Sequence, residues 1–364
     1  MTREPRRVAR HTGAPVSEQT PGAAKSEQRW TVRSMLAWSR DWLAKKGVEN
    51  PRLDAELLLA HALNLPRIRL YIEHDKPLEA DELARFKALI LRRAEREPVA
   101  YLLGVKEFYG RPFAVDKRAF IPRPETELLV QAVLAGLAQP EREPAVERSR
   151  QCLDQPAQTA EAAPPVALGA EHSRQCLDRA PGVSGALVSG AQLSPGALRS
   201  ADPGKVRVLD LCTGSGAIGV TLAAERESLQ VDLVELSPET AEVARKNATA
   251  LAPGGARVLV GDLFAPLEPG TRYAAIVSNP PYVPLRDQAQ LAPEITRHEP
   301  PLALFSGEDG LDAIRRIVAE APAWLEPGGL LALELDPSQA EAARSLCASA
   351  GLIAIDVSRD LAGL

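Results

Sequence analysis

The sequence predicts an α/β protein: a Rossmann-like, mostly parallel, doubly wound sheet behind a small N-terminal helical bundle. Three observations carry this. From Lys205 onward, β-prone apolar runs alternate with helical patterns. The first of those runs ends in a glycine-rich turn that opens a helix, and the second ends in an acid. Ahead of them, across residues 29–97, apolar residues recur at helical spacing in three separate patterns.

In chain order, residues 1–28 carry Arg3, Arg6, Arg7 and Arg10 with no apolar core behind them, so a disordered tail is expected rather than a secretory signal. Thr31 is a candidate cap for a helix with Val32, Met35, Leu36, Trp42 and Leu43 on one stripe, ending at Gly47. Asn50-Pro51 starts a second helix with Leu53, Leu57 and Leu58 inward. A third spans about Glu79 to Glu97, with Leu83, Phe86, Leu89 and Ile90 inward. Short helices joined by short loops suggest a bundle, and its Leu and Trp stripes read as core.

Residues 98–126 form a hairpin and connector. Tyr101 to Val115 is β-prone and broken by Gly104 and Gly110-Arg111-Pro112. Phe120 to Glu127, stiffened by Pro122 and Pro124, leads into a helix from about Leu128 to Leu137, where the domain covering 127–364 begins. That domain is interrupted at about 140–204 by a stretch without aromatics, rich in Pro, Ala, Gly and Ser. Glu147 to Asp154 largely recurs there as Glu171 to Asp178. A metal held by Cys152, Cys176 and His172 fits no ligand spacing, so a disordered insertion is expected and no metal. Strands then read Val206–Leu211, Val231–Glu235, Arg257–Val260, Ala274–Ser278, Leu330–Leu335 and Leu352–Val357, with helices from Ala217, Pro238, Gly310 and Ser338.

Composition narrows the function classes. Hydrophobic residues at 45% and charged residues at 25% suit a globular protein, and no apolar run is long enough to span a membrane. A net charge of -5 argues against wrapping nucleic acid through phosphate contacts. The cysteines form no C-x-x-C pair, which fits a reducing cytoplasm.

The chemistry concentrates at two turns. Cys212-Thr213-Gly214-Ser215-Gly216 follows the first strand, and Gly214 to Gly219 satisfies the G-x-G-x-x-G spacing. Glu235, ending the second strand, suits ribose hydroxyls. Together they indicate a nucleoside-containing cofactor without separating NAD from S-adenosylmethionine; the bland alternative is a glycine-rich turn with no ligand. The fourth strand runs into Asn279-Pro280-Pro281-Tyr282. Asn-Pro is an ordinary turn initiator, but this one lies at the carboxyl end of a strand beside the cofactor turn. An amide or exocyclic amino nitrogen is a poor nucleophile, because its lone pair is delocalised. The Asn279 oxygen and the Pro280 carbonyl are suited to take its two N–H bonds and aim the lone pair at an electrophile. Tyr282 is placed to stack on the planar group. A sulfonium methyl matches this arrangement; hydride transfer leaves it without a role.

These turns, together with Ile121-Pro-Arg-Pro-Glu-Thr-Glu127, resemble the HemK/PrmC family of release factor glutamine methyltransferases. Pro98 to Gly104, Glu107-Phe108, His298-Glu-Pro300 and Asp54 to Leu59 match as well. The resemblance implies a seven-stranded S-adenosylmethionine methyltransferase sheet with an N-terminal helical domain that grips the substrate. It implies that Cys212 to Gly216, Glu235 and Asn279 bind the cofactor and that Asp262 and Leu263 lie along the adenine. It implies that Asn279 to Tyr282 hold the glutamine of the Gly-Gly-Gln loop in class I peptide chain release factors. A cytoplasmic monomer that touches neither membrane nor nucleic acid is expected. The Asn-Pro-Pro-Tyr motif is shared with adenine-N6 nucleic-acid methyltransferases, which stay as an alternative, as does a crippled cofactor-binding protein. Three departures stand out. Cys212 replaces a glycine, the insertion lengthens a short connection, and the chain stops where a final antiparallel strand would leave an edge unpaired if absent.

Overall fold

The computed structural model describes residues 29–137, 186–189 and 205–359. Five helices come first: α1 (Val32–Lys45), α2 (Pro51–Leu63), α3 (Arg67–Ile72), α4 (Ala80–Ala94) and α5 (Val99–Leu103). Thr31 caps α1 in a reciprocal pair with Ser34, as its sequence position suggested. Asn50 occupies the cap position of α2 but makes no side-chain cap bond; Pro51 alone marks that start. Leu43, Leu58, Leu59, Leu70 and Phe86 close the core of this bundle.

The hairpin is shorter than expected. Tyr101 and Leu103 belong to helix α5, and only β1 (Val105–Phe108) and β2 (Arg111–Ala114) pair. Pro98 at the helix entry and Gly104 at φ 70° at its exit outweigh the β-propensity between them. Next come α6 (Glu127–Gly136), β3 (Ala186–Ser189), β4 (Val206–Leu211), α7 (Ala217–Glu225), β5 (Leu229–Glu235), α8 (Pro238–Leu251), β6 (Ala256–Val260) and β7 (Tyr273–Ser278). The chain continues through α9 (Pro293–His298), α10 (Asp312–Trp324), β8 (Leu325–Leu335), α11 (Ala340–Ser349) and β9 (Asp356–Arg359).

One sheet runs in the order β6-β5-β4-β7-β8-β3-β9. β4 to β8 are parallel along it, and β3 lies antiparallel between β8 and β9. β4 and β7 sit centrally and are almost wholly buried, as near-continuous apolar runs require when helices cover both faces. Of the strand expected at Leu352–Val357, only Asp356 and Val357 are paired. The tail at 1–28 and most of the insertion at 140–204 lie outside the described residues. The exception corrects an expectation: Ala186–Ser189 joins the sheet, so the edge beside β8 is covered. The signal was short, a β-prone Leu187-Val188 between Gly185 and Gly190.

The helical bundle is tied to the chain that follows β7. Arg93 on α4 donates to Asp54 on α2 at 2.6 Å, both buried, and to Glu294 on α9 at 3.1 Å. Arg96 reaches the other oxygen of Glu294 at 2.8 Å. Removing one partner would leave a buried charge uncompensated.

If β3 completes the sheet, Val188→Pro, which removes a ladder donor between two neighbours, lowers the Tm by about 5 °C or more. A thermal melt identical to the parent's would contradict the pairing.

Candidate active site

The carboxyl ends of β4, β5, β6 and β7 open into one cavity of about 650 Å³. Its lining includes Cys212, Thr213, Gly214 and Ser215 after β4, and Glu235 ending β5. Asp262 and Leu263 after β6 and Asn279, Pro280, Pro281 and Tyr282 after β7 also line it. All the residues singled out in the sequence therefore converge except Gly216, which has a packing role instead. At φ 84°, a Cβ there would come within 3.0 Å of Val220 Cγ2.

The turn is braced from below by carboxylates. Asp210 accepts from the Thr213 hydroxyl at 2.5 Å and from the Gly219 N–H at 2.9 Å. A Cβ on Gly219 would sit 2.8 Å from Asp210 Oδ2, so only glycine lets α7 approach this closely. Glu235 accepts from the Gly214 N–H at 2.9 Å and the Ser237 N–H at 3.0 Å. The Leu236 N–H favours its charged form as well, so backbone donors hold the carboxylate in place at the cavity's edge. Asn247 on α8 locks the hairpin to the turn: it donates to the Ala114 and Ser215 carbonyls and accepts from the Ala114 N–H.

Cys212 sits at φ 56°, in the left-handed region. An L-residue in this conformation costs about 1–2 kcal/mol, a cost that glycine would not carry. Burial pushes its thiol up to about 12, far from a reactive thiolate. Leu263 is left-handed too, at φ 49°. Asp262 is held by two bonds from Arg316, at 2.8 and 3.1 Å.

At the other wall, the Asn279 amide nitrogen donates to Glu334 at 2.9 Å and to the Thr126 hydroxyl at 3.2 Å. Gln339 donates to the Tyr282 carbonyl at 2.9 Å. Gly310 lies so close to that carbonyl that a Cβ would overlap it. Glu299 accepts from the Arg123 guanidinium at 2.5 Å and the Ile121 N–H at 3.4 Å, pinning the Pro-Arg-Pro block beside the cavity. Arg123 also covers the Phe120 ring at 4.6 Å. Glu334 and Gln339 carried no local signal in the sequence, because their partners are far away along the chain, and Gly310 read only as a helix start. The wall is apolar with a few converging polar groups, as a small-molecule pocket requires.

A nucleotide-type turn and an Asn-Pro-Pro-Tyr loop facing one cavity, on a sheet with this strand order, define an α/β methyltransferase. Residues 189–299 match the methyltransferase small domain, and residues 34–104 match the PrmC N-terminal domain. The chain is 37% identical over 337 residues to the release factor glutamine methyltransferase of Geobacter sulfurreducens, covering 92% of this chain and 94% of that one. It is 38% identical to the enzyme of the same name from Burkholderia pseudomallei, over 86% of this chain and 89% of that one. A solved methyltransferase structure from Pyrococcus furiosus aligns over 41% of this chain and 65% of that one, at 21% identity and a TM-score of 0.31. The chain belongs to the release factor glutamine methyltransferase family.

Burial raises the Asp210 carboxyl to about 7. A carboxyl whose folded pKa exceeds its unfolded value costs no stability while protonated and destabilises the fold as it ionises. Stability should therefore fall as the pH rises from about 4 to about 7. Asp210→Asn preserves the shape and removes that ionisation, so its loss across the window is smaller. Urea unfolding at about pH 5 and about pH 7.5 checks this, and an equal loss in both proteins would contradict it.

Proposed function

We propose that this chain transfers the methyl group of S-adenosylmethionine to the side-chain amide nitrogen of the glutamine in the Gly-Gly-Gln loop of class I release factors. The observation that carries the reading is the seat of Asn279. With its nitrogen bonded to Glu334 and Thr126, its Oδ1 is left as the group available to a ligand in the cavity. The names of its relatives point to the same substrate.

The cavity suits the cofactor. Its volume lies within the range of small-molecule sites, and nothing within 4 Å would meet a side chain at Gly214, leaving room for close approach to that backbone. In this reading Cys212 to Ser215 cradle the cofactor, Glu235 takes the ribose hydroxyls, and Asp262 and Leu263 flank the adenine. Gly216 shapes the turn from behind. S-adenosylmethionine supplies an electrophilic methyl when bound. Asn279 Oδ1 and the Pro280 carbonyl take the two N–H bonds of the glutamine amide and orient its lone pair. Proline leaves that stretch rigid and without an N–H. Tyr282 stacks on the amide plane, and in-line positioning supplies much of the rate. A strong base is not required, since the methylated nitrogen is acidic until it loses its proton.

The same reading makes the release factor the protein partner, gripped in part by the helical bundle, with a monomeric enzyme in the cytoplasm and no nucleic-acid substrate. Among the described residues, no helix is long and apolar enough to cross a membrane.

Incubation with methyl-labelled S-adenosylmethionine, a whole release factor and an adenine-containing oligonucleotide should put label on the Gly-Gly-Gln glutamine, located by mass spectrometry. Asn279→Ala should slow transfer by about 100-fold or more while calorimetry shows cofactor affinity changed by only a few-fold. Label on the oligonucleotide with none on the release factor would overturn the reading.

A further inference from the structure

The second half of β8, residues 330–335, is an apolar run with a carboxylate in it. Leu330, Leu331, Ala332, Leu333 and Leu335 surround Glu334, which is only 5% exposed. A carboxyl in such a place is costly unless its partners repay the loss of water. One of its oxygens, Oε2, has no hydrogen-bond partner among the described residues. Stability alone does not account for it.

The sheet register does. Ser278 on β7 lies opposite Leu333 on β8, so Asn279 and Glu334 are the next residues along the same pair of strands. Glu334 Oε1 accepts from the Asn279 amide nitrogen at 2.9 Å. The Thr126 hydroxyl accepts from the same nitrogen at 3.2 Å and, beside Glu334, favours its ionised form. An amide side chain is nearly symmetric in shape, and nothing steric distinguishes its two ends. An ionised carboxylate accepts and cannot donate, so it admits only the nitrogen end. Thr126 serves either end, since a hydroxyl both donates and accepts.

We propose that Glu334 is a positioning residue that holds Asn279 with its oxygen toward the substrate, and that Thr126 completes the seat. The proposal rests on the function proposed above. If the amide turned over, its NH2 would face the NH2 of the substrate, donor against donor, and the lone pair would lose its orientation. A protonated Glu334 permits that turn, because its O–H can donate to the Asn279 oxygen.

The ionisation of Glu334 therefore gates transfer. Burial raises its carboxyl to about 7, and Glu125 nearby pushes the same way. Bonds from Thr126 and Asn279 and the charge of Arg123 oppose them. Tyr282, on the segment after β7, also feels Glu334, and its own burial keeps it neutral. The wild-type transfer rate should rise with pH through an acid limb set by Glu334.

The test is single-turnover methylation of a whole release factor at saturating S-adenosylmethionine, from about pH 5.5 to about pH 9. Glu334→Gln can present either end to Asn279; it should slow transfer by about tenfold or more, leave KM for the release factor within about twofold, and abolish the acid limb. Thr126→Val leaves the carboxylate in place but removes a bond that favours its ionised form, so its limb moves to higher pH. This second variant carries the test if the first fails to fold. Unchanged rates and an unchanged limb in a folded variant, beside an active wild type, would overturn the positioning role. A wild type that leaves the release factor unmethylated would instead overturn the function on which this role rests.

Discussion

The side-chain amide of Asn279 has two hydrogens and one oxygen, and the protein takes the hydrogens. Glu334 and Thr126 accept from the nitrogen, and the oxygen is what remains for the cavity. Much of the surrounding structure serves that seat. The parallel pairing of β7 with β8 brings Asn279 and Glu334 level. The Pro-Arg-Pro-Glu-Thr connector brings Thr126 across from a distant part of the chain, and Glu299 anchors the connector by binding Arg123 and Ile121. Gln339 and Gly310 fix the Tyr282 end of the same loop.

The opposite wall is built on a different principle. There, buried carboxylates hold backbone N–H groups: Asp210 under Gly219 and Glu235 under Gly214. The arrangement shapes a turn and leaves one face of it open to a ligand. The two walls meet over a single cavity; in the proposed function, a methyl donor held by one is presented to an acceptor held by the other. The helical bundle reaches this region through Glu294, which binds Arg93 and Arg96. The bundle is thereby tied to an element linked to the Asn-Pro-Pro-Tyr loop.

Much of this was legible in the sequence because it is local. A glycine-rich turn, an acid ending the next strand and Asn-Pro-Pro-Tyr after the fourth each occupy a few adjacent residues, and the alternation of elements fixes their common edge. Gly214 and Gly216 look equivalent as letters, and only φ and packing separate a residue facing the cavity from one behind it. The short helix at Val99–Leu103 was hidden because its residues favour strands and its start and stop signals outweigh them. Ala186–Ser189 was hidden by the composition around it. Glu334 read as one polar residue in a buried strand, and its meaning depends on Asn279 and Thr126, which pair with it only through the fold.

The central claim is that two fixed acceptors, Asn279 Oδ1 and the Pro280 carbonyl, hold a glutamine amide in line with a methyl donor. A crystal structure of the protein with a release factor and the demethylated cofactor tests it directly. The account predicts the glutamine nitrogen within hydrogen-bond distance, about 3 Å, of both oxygens, with the Asn279 nitrogen still on Glu334. A glutamine bound elsewhere, or an Asn279 nitrogen turned toward it, would contradict the account.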